Sequence, residues 1–368
     1  MQMRNSVSHN ADSEAKEQAG NIHRVDELFR IAGLVRSLHG KAAGVTHRLR
    51  QERKRLERGE PEDFQQTAPA PQIATNGVRW LPVPGWERFP WLWHGFSTRL
   101  GGESTVYCLE GAPAELNLGF TSEDNREIVL RNRRLYTEAV TGDPDTRLVC
   151  LRQIHSTLLV IPLSGDALRA EPRKGDGLIT NEAGLLIGIQ TADCIPVLVA
   201  DLKRRVVAAF HAGWRGTVER IVEKGVGRMR LEFGSRPEDL LAAIGPGIGR
   251  CCYAVGEEVL SSFESQFIYA RELFSEVYST DPVRTKYPML FLTQRAPGHS
   301  EMGPSLHLDL VEANRRQLLA AGLSPSSIQS IGGCTNCQPE LFFSHRAAQG
   351  RAGRMMAVIG IRPSAAKK

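Results

Sequence analysis

Three side chains able to bind a metal, or to serve as nucleophile and base, stand at the ends of segments with strand character. His155 lies in Gln153-Ile154-His155-Ser156, just after the apolar run 148–151. Cys194 lies in the short link Thr191-Ala192-Asp193-Cys194 between two such runs, and His211 closes the run that begins at Val206. Strand ends hold such groups rigidly while the adjoining loops admit substrate. Two imidazoles and a thiolate suit zinc with a fourth position left for water, whose pKa the metal would lower to about 7. The same residue types also suit a Cys nucleophile with a His base, the chemistry of a Cys/His amidase or hydrolase. Metal content separates the two readings.

The stretch Phe210-His211-Ala212-Gly213-Trp214-Arg215-Gly216 extends this candidate site. Gly213 and Gly216 let the backbone approach a ligand, and the start of the following helix presents unpaired N–H groups. Arg215 offers a planar fork of donors for phosphate or carboxylate, whereas Trp214 at a strand–helix junction reads as packing. Asp193, beside Cys194, is the acid/base candidate, with orientation of His155 or capping of a turn as its structural alternative. Arg99, Asn117 and Arg346 sit in polar loops and are candidate substrate contacts. Cys334-x-x-Cys337 and the adjacent pair Cys251-Cys252 supply the residue types of a four-cysteine zinc site, but adjacent cysteines rarely reach one metal together, so no such site is expected. The first pair also follows Gly332-Gly333 near the end of the sequence, not the opening of a helix in an early βαβ unit.

These groups need a scaffold of strands and helices. Strand-like runs occur at 148–151, 185–189, 195–199, 206–210, 240–244 and 355–361, and helical patterns at 125–139, 217–233, 255–274 and 308–321. The mixture predicts an α+β or α/β domain with helices packed on one or more sheets. It should occupy residues 78–368. Ahead of it, 1–77 reads as a basic, partly helical extension ending in an extended Pro/Ala-rich linker. Leu28, Val35, Ala42, Leu49 and Leu56 recur every seven residues, which suggests a helix suited to self-association or docking.

With 368 residues, 41% hydrophobic and 24% charged, the chain can bury a large core. The net charge of +5 is local: residues 36–58 hold eight Lys/Arg against two acidic residues, a balance of +6 that leaves the rest near neutral and argues against nucleic acid as the ligand. No apolar run is long enough for a membrane helix, residues 1–20 lack the apolar core of a signal peptide, and seven cysteines form no regular disulfide framework. A cytoplasmic protein with reduced thiols is expected.

Several stretches together carry a family resemblance: HGFSTRLGG, LNLG, RQIHS, GDGLIT, TADCIPVLVAD, AAFHAGWRGTVERIV, IGPGIG, LDLVEANRRQL and FFSHRAAQGRAGRMMAVI. Over residues 79–361 the chain resembles the laccase-domain, or YfiH-like, family, which includes YlmD-type purine nucleoside phosphorylases. The resemblance implies an α-β-β-α layered sandwich similar to the catalytic domain of cytotoxic necrotizing factor toxins. It implies zinc on His155, Cys194 and His211, phosphorolysis of adenosine, inosine, guanosine and methylthioadenosine, and adenosine deamination. In phosphorolysis, Arg215 is expected to hold the phosphate, with Arg99 or Arg346 as a second contact. An older family label is copper-dependent polyphenol oxidase, with copper as the alternative metal. Ten histidines, no His-x-His pair and six histidines in the main domain do not supply a multicopper centre. Residues 1–72 and the segment 280–302 depart from the compact members.

Overall fold

The computed structural model describes residues 68–363 except 109–110, 164, 169–170 and 278–304. All of them belong to one compact unit of the chain. The expected heptad helix, the basic segment 36–58 and the lengthened segment 280–302 lie outside the described residues. Among those residues, no helix is long and apolar enough to cross a membrane.

Two six-stranded sheets carry the fold. The first has the order β1 (Gln72–Ile73), β2 (Arg79–Leu81), β3 (Leu92–Ser97), β16 (Met355–Ile361), β8 (Leu185–Thr191) and β5 (Arg147–Cys150). Its neighbours are antiparallel except β5 and β8, which are parallel. The second runs β15 (Ile328–Ser330), β11 (Leu240–Ile244), β9 (Ile195–Asp201), β10 (Val206–Ala212), β7 (Gly177–Thr180) and β6 (Leu159–Val160). A small antiparallel sheet joins β12 (Ala254–Val255), β14 (Ser305–Leu308) and β13 (Phe274–Val277), and β4 (Leu100–Ser104) bridges to Glu115. The six runs read from the sequence correspond to β5, β8, β9, β10, β11 and β16. β3 was hidden in what reads as a Gly-containing loop, and β1 already pairs with β2 ahead of residue 78.

Alternation along the strands explains the layers. On β10, Val206, Ala208 and Phe210 join one core while Val207 and Ala209 face the other, so the strand reads as an unbroken apolar run. Val207, Ala209 and Leu198 of the second sheet meet Ile187, Ile189, Ala357 and Ile359 of the first in the core between the sheets. The outer face of the first sheet, through Leu186, Met356 and Val358, packs on Tyr136 of helix α1 (Arg126–Thr141). The outer face of the second meets α2 (Trp214–Val218), α3 (Ile221–Phe233), α4 (Glu257–Glu264) and α5 (Leu310–Ala320). The order of layers is therefore helix, sheet, sheet, helix. Gly225 of α3 lies so close to β10 that a Cβ there would come within 2.3 Å of the Phe210 ring.

Two expected helices are broken. The pattern over 217–233 divides at Arg220, whose φ of 65° ends the helical hydrogen-bond run and whose guanidinium bonds the Gln266 carbonyl and covers the Phe267 ring. The pattern over 255–274 yields α4, a 3-10 turn at Ala270–Leu273 and then β13. α1 matches its expected start because the Asn125 side chain accepts the Glu127 N–H, and Gly142 at φ 83° closes it.

Candidate active site

His155, Cys194 and His211 converge although 56 residues of chain separate the first from the last. The segment from β5 to β6 passes from the first sheet to the second and carries His155. The link from β8 to β9 makes the same crossing and carries Cys194. On β10, His211 pairs with Pro196 and Ala212 with Ile195, which sets His211 beside the start of β9. One ligand atom from each of the three lies within 4.8 Å of the others, and the two imidazoles meet edge to face at 4.9 Å. His155 is exposed, Cys194 half-buried and His211 buried.

Backbone strain accompanies this convergence. His155 has φ 57° and Asp193 φ 88°, left-handed conformations that a non-glycine residue adopts at a cost of about 1–3 kcal/mol and that cluster at functional sites. Gly213 closes the space behind the thiol, since a Cβ there would stand 2.8 Å from Cys194 Sγ.

Asp176, fully buried at the start of β7, ties the site together. Its carboxylate accepts the backbone N–H groups of Ile154, His155 and Ser156 and the Ser156 hydroxyl, at 2.7–3.2 Å. Oδ1 also meets His211 Nδ1 at 2.9 Å. Burial works against its charge, but His211 and the Ser156 donors outweigh it and hold the carboxyl at about 2. Burial likewise disfavours an imidazolium at His211, yet the Cys194 sulfur and Asp176 raise that group to about 9. For Cys194, burial is overcome by His211 and by hydrogen bonds from both imidazoles, which lower the thiol to about 6. The pocket thus favours an ionised sulfur, as a metal ligand must be.

The cluster opens into a cleft of about 640 Å³. Arg133, Arg152, Arg346 and Arg354 line it, with Phe120, Ile248 and Tyr253 as apolar and aromatic surface. Among the described residues Arg133 Nη2 is buried without a hydrogen-bond partner, while its Nε donates to the Leu118 carbonyl and the guanidinium covers the Phe120 ring. The Gln153 side chain donates to the Gln190 carbonyl and accepts the Gln190 N–H, which pins the His155 segment to β8.

The family described as multi-copper polyphenol oxidoreductase laccase matches residues 93–362. The chain belongs to that laccase family. A purine nucleoside phosphorylase YlmD of Geobacillus stearothermophilus is 36% identical over 275 residues, 73% of this chain and 89% of that protein. Its crystal structure superposes with a TM-score of 0.62 and 34% identity, covering 80% of this chain and all of that one. A purine nucleoside phosphorylase of Bacteroides thetaiotaomicron is 37% identical over 276 residues, covering 73% and 91% of the two chains. An adenosine deaminase from an unknown prokaryotic organism is 32% identical over 213 residues, covering 56% and 72%.

In this laccase-family chain the expected groups divide. His155, Cys194, His211, Asp193 and Arg346 line the cleft. Asp193 accepts from the Thr335 hydroxyl at 2.6 Å and from the Arg346 N–H at 2.7 Å, so it anchors those two loops and does not orient His155. Arg215, Arg99 and Asn117 do not line it. Arg215 is exposed and its guanidinium lies 4.5 Å over the Trp214 ring. Arg99 is paired with Glu115 and stacked on Phe343. Asn117 is fully buried, and its Oδ1 accepts the Arg354 N–H, so it positions a cleft residue from behind. Sequence reasoning passed over Asp176, although it lies in the quoted GDGLIT, and over Tyr253 and Arg133.

The metal implied by the family fits these residues. Two imidazoles and a thiolate with an ionised sulfur form a zinc-type donor set, and the Asp176 carboxylate fixes His211 through Nδ1 and leaves Nε2 for the metal. A second group also converges, contrary to expectation: the sulfurs of Cys251, Cys252, Cys334 and Cys337.

Proposed function

We propose that the chain is a cytoplasmic, zinc-dependent purine nucleoside phosphorylase for adenosine, inosine, guanosine and methylthioadenosine that also deaminates adenosine. The observation that carries this reading is the convergence of His155, Cys194 and His211, backed by Asp176, on an arginine-lined cleft, in a chain whose relatives bear those two activities in their names.

Phosphorolysis requires phosphate beside the sugar. A phosphate oxygen forms a bond to the anomeric carbon while the bond from that carbon to the base nitrogen breaks, and the base leaves with the electron pair and gains a proton. Arg133 and Arg346 hold the phosphate in place of Arg215 and Arg99, because they line the cleft and one guanidinium nitrogen of Arg133 has no partner among the described residues. The Tyr253 ring in the cleft offers apolar surface to the purine. Zinc, held by His155, Cys194 and His211, supplies Lewis acidity and an acidified water when bound. For deamination we assign proton transfer to Asp193, whose two oxygens each keep acceptor capacity beyond their bonds to Thr335 and Arg346.

The test is incubation of metal-assayed protein with adenosine, inosine and methylthioadenosine, with and without phosphate. Free base formed only with phosphate establishes phosphorolysis, and inosine formed from adenosine establishes deamination. The absence of both products overturns the reading.

A second reading rests on Cys194 within reach of two imidazoles, a Cys/His hydrolase needing no metal. The expected likeness to the toxin sandwich is its other support, and fold analogy is weak grounds for activity. Activity that survives complete chelation would favour it. The polyphenol oxidase reading gains nothing from the histidines: among the described residues, a single candidate metal cluster contains imidazole.

A further inference from the structure

We propose that Cys251, Cys252, Cys334 and Cys337 form a second zinc site, a closed four-thiolate centre that staples two walls of the cleft together. One sulfur from each lies within 4.8 Å of the others. Cys337 Sγ stands 3.5 Å from Cys251 Sγ and 3.3 Å from Cys252 Sγ. A tetrahedral zinc with Zn–S bonds of about 2.3 Å sets its sulfurs about 3.8 Å apart, so the four need only small adjustments to surround one ion. All four are free thiols, and their sulfurs stand well beyond disulfide bonding distance.

The backbone around them is organised for thiolates. Cys334 Sγ accepts the Gly249 N–H at 3.2 Å and hydrogen bonds from the Asn336 and Cys337 amides. N–H groups directed at a sulfur stabilise negative charge there, as outer donors do around metal-bound ligands. Neighbouring cysteines reach one point because residues 250–252 form a turn in which both Cys252 N–H and Tyr253 N–H return to the Gly249 carbonyl. In an extended strand adjacent side chains point to opposite faces, whereas a helical turn separates them by only about 100°.

The location gives the staple its purpose. The first pair lies in the segment from β11 to β12, which brings Ile248 and Tyr253 to the cleft. The second lies in the segment from β15 to β16, which brings His345 and Arg346. The two segments already touch through a bridge between Gly247 and Cys334 and the bond from Thr335 N–H to the Gly247 carbonyl. A metal here joins chain segments about 80 residues apart and contributes directly to their folding. It uses none of the residues of the His155, Cys194 and His211 cluster, so it stands or falls apart from the proposed activity.

Metal analysis of the full chain, purified with reductant, tests the assignment. Wild type should carry about two zinc per chain, and both Cys194→Ser/His211→Ala and Cys334→Ser/Cys337→Ser about one each. The first double variant leaves the four cysteines intact, so the test survives even if the second fails to fold. In that first variant the remaining zinc should leave only as thiols react with an organomercurial, and cobalt in its place should give strong thiolate-to-cobalt charge transfer. A Cys194→Ser/His211→Ala chain without zinc, with iron in its place, or with all its thiols reacting with Ellman's reagent as fast as Cys108 would overturn the proposal.

Discussion

Asp176 Oδ1 lies 2.9 Å from His211 Nδ1, and the same carboxylate holds the backbone on either side of His155. One buried acid therefore fixes two of the three proposed ligands. Asp176→Asn keeps the shape but withdraws the charge from five hydrogen bonds. Zinc affinity should fall about 10–100-fold and kcat/KM with it. Competition against a chromogenic chelator measures the first, and an unchanged affinity would show that Asp176 serves the fold alone.

Gly213→Ala places a methyl group 2.8 Å from Cys194 Sγ, while the backbone at φ −70° accepts alanine without strain. The clash must be relieved by moving the sulfur or α2, at about 1–3 kcal/mol. Metal binding should weaken more than global stability does. Comparison of zinc affinity with chemical denaturation of the metal-free protein decides this, and equal losses in both would sink the idea.

Arg133→Gln and Arg346→Gln should each raise the KM for phosphate. Loss of a charge-assisted contact of about 1.5–3 kcal/mol corresponds to roughly 10–150-fold. Adenosine deamination, measured without phosphate, should change far less. Parallel loss of both activities would mean that these arginines hold the cleft's shape and not the anion.

His94 should contribute to the pH dependence of stability in acid. Burial lowers its pKa to about 4, against a small opposing effect of Glu87, and its Nδ1 accepts the Val83 N–H, a role open only to the neutral ring. The unfolded chain takes up a proton near pH 6.5 that the folded chain refuses until about pH 4. Stability is therefore full above 6.5 and declines as pH falls to 4, by about 3 kcal/mol from this residue. Urea denaturation across that window should show the slope in wild type and a shallower one in His94→Gln. Identical slopes would assign the acid sensitivity elsewhere.

His155, Cys194 and His211 were singled out by residue type at the ends of apolar runs and joined into one candidate set by the family resemblance, and the structure brings one atom of each within 4.8 Å of the others. Asp176 was not legible, since its role exists only once β6 lies parallel to β7 and β7 antiparallel to β10, pairings that no local pattern encodes. The arginines were hard to place for a similar reason: Arg215 is four residues from His211 in sequence, but its guanidinium lies over Trp214 and outside the cleft, while Arg133 lines the cleft from a distant helix. Apolar periodicity suggested one helix over 217–233 because the same face continues through Arg220, and only the left-handed backbone there reveals the break. The four cysteines were discounted because adjacent cysteines rarely reach one metal, whereas the turn at 250–252 brings both Cys251 and Cys252 within 3.5 Å of the Cys337 sulfur.

β16 lies between β3 and β8 and is antiparallel to both. The interior strand of the first sheet is thus made last, more than 160 residues after β8 and more than 250 after β3. During synthesis, β3 and β8 wait with open edges until residues 355–361 emerge to join them, and such distant pairing is slow. A nascent chain stalled before that point would present two apolar strand edges to its surroundings, the kind of open edge that invites pairing with another chain.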